Sequence, residues 1–121
     1  MKQDQGIKNQ VKQILSLVTQ IAPGKSVEVR IPPYAAIQCI DGITHRRGTP
    51  PNVVEMTGET LVSLLESPDK WQEFCDSGAI LASGTNANLA KLFLQVSKLW
   101  NSGVRSENDK QIQARQIKSS T

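Results

Sequence analysis

Within the first 31 residues the hydrophobic period changes from helical to extended across one Pro-Gly pair, and this switch limits the folds open to the chain. Ile7, Val11, Ile14, Leu15, Val18 and Ile21 recur at spacings of three and four. At about 100° per residue, that gathers them on one stripe of an amphipathic helix. Pro23-Gly24 stops it. The following SVEVRI alternates strictly, with Val27, Val29 and Ile31 on one face and Glu28 and Arg30 on the other, the pattern of a half-buried strand. A one-stripe helix and a one-faced strand each need a partner layer, so a mixed fold around one core is expected.

The rest of the chain continues the pattern. Pro32-Pro33 interrupts, AAIQCI reads as a second strand, and Asp41-Gly42 offers a type I′ turn from which ITHRR pairs back as a third. Gly48-Thr49-Pro50-Pro51 makes a poor ladder and reads as a crossover, after which NVVEM is a fourth strand. Thr57 is placed to cap a short helix through Leu61, Leu64 and Leu65. Ser67-Pro68-Asp69 starts another, carrying Trp71, Phe74 and Cys75 and ended by Gly78. AILAS is a fifth strand. Thr85 or Asn86 is expected to cap a last helix with Leu89, Leu92, Phe93, Val96 and Trp100 on its stripe. The expectation is an α+β fold: a five-stranded, mostly antiparallel sheet with helices on one face, in the order helix, three strands, crossover, strand, helices, strand, helix. Residues 1–103 form one domain. Residues 104–121, rich in Gln, Ser and charge, are expected to be a flexible tail.

Size and charge narrow the function classes. With 121 residues the chain supports one core and not two. Its longest hydrophobic runs are Tyr34 to Ile37 and Ala79 to Ala82, far short of the roughly 20 residues of a membrane span. The opening MKQDQGIKNQVKQIL has no apolar block of a secretory signal, so a cytoplasmic location is expected, with Cys39 and Cys75 as free thiols. The net charge of +3 is concentrated at the ends: residues 1–22 carry three Lys and one Asp, residues 102–121 four basic and two acidic groups, and the middle seven basic and eight acidic. A near-neutral middle argues against specific nucleic-acid binding. The aromatics Tyr34, Trp71, Phe74, Phe93 and Trp100 mostly fall on apolar helix stripes and are not offered to bases.

No complete catalytic set is visible. The one histidine, His45, stands beside Arg46 and Arg47, neighbours that disfavour its protonation and suit a hydrogen-bonding role better than a proton shuttle. Cys39, His45 and Cys75 are too few and too scattered for a structural zinc site. No glycine-rich phosphate loop is present. Neither enzymatic activity nor a metal or cofactor is therefore expected, and each cysteine reads as a small core hydrophobe. The cluster His45-Arg46-Arg47-Gly48-Thr49 is the one dense cationic patch outside the two ends. It is either a solvated strand end or a contact for an anionic head group, carboxylate or acidic partner.

The element order, together with WQEFCDSGAILASGTNANLAKLFLQV and VEVRIPPYAAIQCIDGITHRRGTPPNVVEM, resembles the sterol carrier protein type 2 family, and in particular a bacterial branch of it. The likeness spans about residues 25–97; its most specific string is Arg-Gly-Thr-Pro-Pro-Asn. The resemblance implies a lipid carrier that holds an apolar small molecule (fatty acid, acyl-CoA or sterol-like lipid) in a tunnel between sheet and helices, without catalysis. Carried onto this chain, the tunnel lining is Ile37, Cys39, Val54, Leu61, Leu64, Leu65, Trp71, Phe74, Leu89, Leu92 and Phe93, with Arg46, Arg47 and Thr49 at the polar end. Transient contact with a membrane surface fits such a carrier. The chain departs from eukaryotic members in ending Ser119-Ser120-Thr121, so peroxisomal import is not expected. Its middle is also compact. The alternative is an accessory or interaction module with a fully packed core; a nucleic-acid binder using the basic ends ranks third.

Overall fold

The computed structural model describes residues 4–42 and 51–103. Helix α1 (Gln5–Ile21) begins where Asp4 caps it, the Ile7 N–H donating to Asp4 Oδ1 at 3.0 Å. It buries Val11, Ile14, Leu15, Leu17 and Val18, while Ile7 and Ile21 at the ends of the predicted stripe are only partly covered. Leu17 joins the stripe because α1 is flanked by α2 (Gly58–Glu66) and α4 (Ala90–Asn101) as well as by the sheet.

The sheet has four strands among the described residues, one fewer than expected, in the order β2-β1-β3-β4. Strand β1 (Val27–Ile31) runs antiparallel to β2 (Ala35–Cys39), with Val27 opposite Cys39, and parallel to β3 (Asn52–Met56), with Val27 opposite Asn52. Strand β4 (Ile80–Ser83) lies antiparallel on β3, Met56 opposite Ile80. The predicted third strand, residues 43–47, lies outside the described residues, as do His45, Arg46, Arg47, Thr49 and the segment 104–121.

The turn expected at Asp41-Gly42 is not of type I′, which needs positive φ at both central residues. The non-glycine residue at positive φ among those described is Ile40, at 65°, a conformation unfavourable to a β-branched side chain. Three hydrogen bonds hold it: Ile40 N–H donates to Ala22 O at 2.7 Å, and Ser26 donates to Ile40 O from both its N–H (3.0 Å) and its hydroxyl (2.9 Å). Gly24 (φ 148°) lies against the same backbone, where any Cβ would collide with the Ile40 carbonyl. The chain leaves β2 by locking onto the end of α1, and the hairpin geometry gives way to that contact.

Two helix starts also differ from expectation. Thr57 does cap α2, accepting from Thr60 N–H at 3.1 Å. The Ser67 side chain, in contrast, makes no capping bond; Ser67 is already the C-cap of α2, and its carbonyl accepts from Lys70 N–H at 3.0 Å to form a 3-10 turn, Pro68–Lys70. That turn runs directly into α3 (Trp71–Ser77), which Gly78 ends in the left-handed region, φ 84°. Helix α4 starts at Ala90, not after Thr85 or Asn86. The Asn86 N–H is held by Asn52 Oδ1 at 2.9 Å, and Asn88 Oδ1 instead accepts from Ala90 N–H at 3.0 Å.

The inward face of the sheet (Val27, Val29, Ile31, Cys39, Val54, Met56, Ile80) and the buried stripes of α1, α2 and α4 belong to one hydrophobic cluster. The outward face carries Glu28 and Arg30, joined at 2.8 Å, with Glu55 and the exposed Leu81 on the neighbouring strands. Helices therefore cover one face, as the alternation of SVEVRI requires.

Candidate functional site

The eleven predicted lining residues lie in, or packed against, one hydrophobic cluster shared by sheet and helices. Cys39 on β2, Val54 on β3, Leu61, Leu64 and Leu65 on α2, Trp71 at the start of α3, Leu89 just before α4 and Phe93 within it are at most 3% exposed, all in the same cluster. Ile37, Phe74 and Leu92 pack against its periphery, partly buried. Trp71 and Phe93 stack with centroids 6.1 Å apart and planes 19° from parallel, so two of the largest apolar side chains support each other directly. The three residues predicted for the polar end, Arg46, Arg47 and Thr49, lie outside the described residues.

The interior is apolar and its few polar groups are already engaged. Asn52, 2% exposed, donates from Nδ2 to Ser26 O at 2.9 Å while its Oδ1 holds Asn86. Ser97 donates to Leu65 O at 2.7 Å, and Asn101 Nδ2 donates to the same carbonyl at 3.0 Å and to the Ser97 hydroxyl at 3.1 Å, satisfying the end of α2 from α4. Among the described residues no buried side-chain polar atom lacks a partner.

Cys39 is a core residue, and burial pushes its thiol up to about 11. Cys75, partly buried, is also raised, by burial and by the negative charge of Asp76. Both shifts favour the neutral thiol over the thiolate. Among the described residues no group of three His, Cys, Asp or Glu is arranged to hold a metal ion. No helix among them is long and apolar enough to cross a membrane.

Of the clefts that open among the described residues, two bear on the site. One, of about 490 Å³, wraps the free edge of β4 and touches Val53, Glu55, Cys75, Ile80, Leu81, Ala82 and Ser83. The other, of about 300 Å³, lies between the 3-10 turn, α3 and α4. Pro68, Trp71, Ala90 and Leu94 supply its apolar wall, and Asp69, Gln72, Asn88 and Lys91 complete it. The first is larger, but the second reaches a predicted lining residue, Trp71, and through it the Trp71–Phe93 stack. Pro68, Ala90 and Leu94 were not foreseen as lining. Leu94 falls off the apolar stripe of α4 and is 43% exposed; an apolar residue on a solvent-facing helical position is the signal that marks it.

The family model described as "Bacterial SCP ortholog" matches residues 3–94. No curated protein matches the chain.

Proposed function

The chain belongs to the bacterial SCP ortholog family, and from that premise we propose that it carries a single apolar ligand of the acyl-chain or sterol-like class between its sheet and its helices, without catalysing a reaction. The observation that supports this most is the cleft beside Trp71. Its volume of about 300 Å³ sits at the lower end of small-molecule sites, its wall is mainly apolar, and it adjoins the layer boundary where the family resemblance puts the ligand. An acyl chain there gains about 25 cal/mol for each Å² it removes from water. Its head group stays at the rim, with Lys91 and Asn88 at hand, because the buried polar side chains among the described residues already have partners. Full insertion requires the Trp71–Phe93 stack to part, so the ligand exchanges packing contacts for its own.

A second reading is favoured by the dense packing of the same residues: an accessory module whose core stays closed. Titration with a fluorescent fatty acid separates the two. The carrier reading expects saturable binding near micromolar or tighter, with Trp fluorescence changed in the wild type and the Trp71 contribution lost in Trp71→Phe. The accessory reading expects no saturable signal.

A further inference from the structure

The sheet beside β4 carries a groove and a charge that the carrier reading does not use. Strand β4 is an edge of the sheet among the described residues, so alternate residues along it turn their backbone N–H and C=O away from β3. Its sequence, Ile80-Leu81-Ala82-Ser83, holds none of the lysines or prolines with which sheet edges are commonly blunted. Leu81, Ala82 and Ser83 are exposed, Leu81 to 59%. Besides the cleft of about 490 Å³ along this edge, a smaller one of about 160 Å³ reaches Gly78 and Thr57, and Glu55 and Leu81 line both. The two clefts together touch the chain from Gly78 to Ser83, a run matched by roughly 20 Å of extended peptide. Glu55 is the charge in this groove. It stands between Arg30 on β1 and Leu81 on β4 in one outward row. Arg30, however, is joined to Glu28 at 2.8 Å, and Glu55 enters no ion pair among the described residues.

We propose that the edge of β4 takes up an extended segment of a protein partner as a further strand, with a basic side chain of that segment lying over Leu81 and reaching Glu55. Strand addition draws affinity from backbone hydrogen bonds and specificity from alternate side chains. Here the outward-facing positions of the added strand meet a leucine and, one strand further in, a carboxylate. Neighbouring strands lie about 4.8 Å apart, so Glu55 is two strands away from a residue opposite Leu81. A lysine or arginine spans that distance, its apolar stem on the leucine and its charged head at the acid. Charge complementarity selects this occupant. A second copy pairing edge to edge brings no cation on its own β4 and leaves both Glu55 carboxylates without a counter-ion. The proposal does not depend on the carrier reading, because Glu55 and Leu81 face away from the helices.

The test is fluorescence anisotropy of the full chain with a labelled, end-blocked peptide, Thr-Val-Arg-Val-Thr, against the same peptide with Gln in place of Arg. At low salt the Arg peptide is expected to bind about three- to fivefold more tightly, the size of one exposed charge pair. Glu55→Gln is expected to remove that difference and to leave the Gln peptide within about twofold. Glu66→Gln, at an exposed acid on the end of α2, keeps the difference. Methylating the nitrogens of alternate peptide residues should weaken binding about tenfold in one phase and little in the other, since only one set faces β4. The Arg peptide should also shift the NMR amide signals of Leu81, Ala82 and Ser83. Circular dichroism confirms that each variant is folded. Absence of saturable binding, an Arg preference that survives in Glu55→Gln, equal tolerance of both methylation phases, or shifts confined to the helices would overturn the proposal. A dimer that protects the β4 amides without peptide would overturn it in favour of a second copy. Titration with a fluorescent fatty acid bears on the carrier reading alone.

Discussion

Asn52 ties together three parts of the chain that are distant in sequence. Its amide donates to the carbonyl of Ser26 just before β1, and its oxygen accepts from Asn86 in the loop before α4. Removing the side chain takes this partner from the Ser26 carbonyl in a buried place and from the Asn86 N–H in a part-buried one, so Asn52→Ala is expected to cost about 1–3 kcal/mol in urea unfolding; a cost below about 0.5 kcal/mol would mean water replaces it. Cys39 gives a pH signature with a definite sign. Burial holds its thiol at about 11, above the ordinary 9.0 of a cysteine, so between these values the folded state keeps a proton that the unfolded chain releases. The contribution is fully present below about pH 9 and is lost as pH rises toward 11. The stability difference between wild type and Cys39→Ala should therefore shrink across that window, by about 2–3 kcal/mol, and stay flat from pH 6 to 8. The inward alternation of AAIQCI made Cys39 legible as a core residue. Asn52 was not: it reads only as the first residue of the strand NVVEM, and its partners lie 26 and 34 positions away.

Elements with local signals were readable, and those settled by distant contacts were not. The α1 stripe, the Thr57 cap and the Gly78 stop depend on residues within a turn or two, and each appears where the sequence puts it. The start of α4 and the turn after β2 depend on bonds from elsewhere: Asn52 takes Asn86, and Ala22 and Ser26 hold Ile40. Gly78 allows a clean measurement, because a Cβ there meets nothing within 4 Å. Gly78→Ala should lose about 1 kcal/mol from backbone conformation alone, seen as a lower melting temperature with an unchanged urea m-value. Phe93→Ala removes half of the aromatic stack and opens the core, for an expected loss of about 3–5 kcal/mol. A much smaller loss would mean that the layer collapses readily around vacancies, the opposite of what ligand entry between layers needs.

In the molecule as a whole, periodicity brought the predicted side chains into one hydrophobic cluster but did not say how tightly they close. Periodicity identifies which residues face inward, and eight of the eleven predicted lining residues are at most 3% exposed there. A packed stripe and a ligand-lining stripe share the same spacing, so the cleft beside Trp71 emerged only from the way the 3-10 turn meets α4. The central claim is that an apolar ligand occupies this boundary, and native mass spectrometry of the purified chain tests it most directly. A carrier should give a one-to-one adduct of lipid mass, retained under gentle conditions and displaced by added fatty acid. A chain that flies bare and takes up no fatty acid when one is supplied would contradict it.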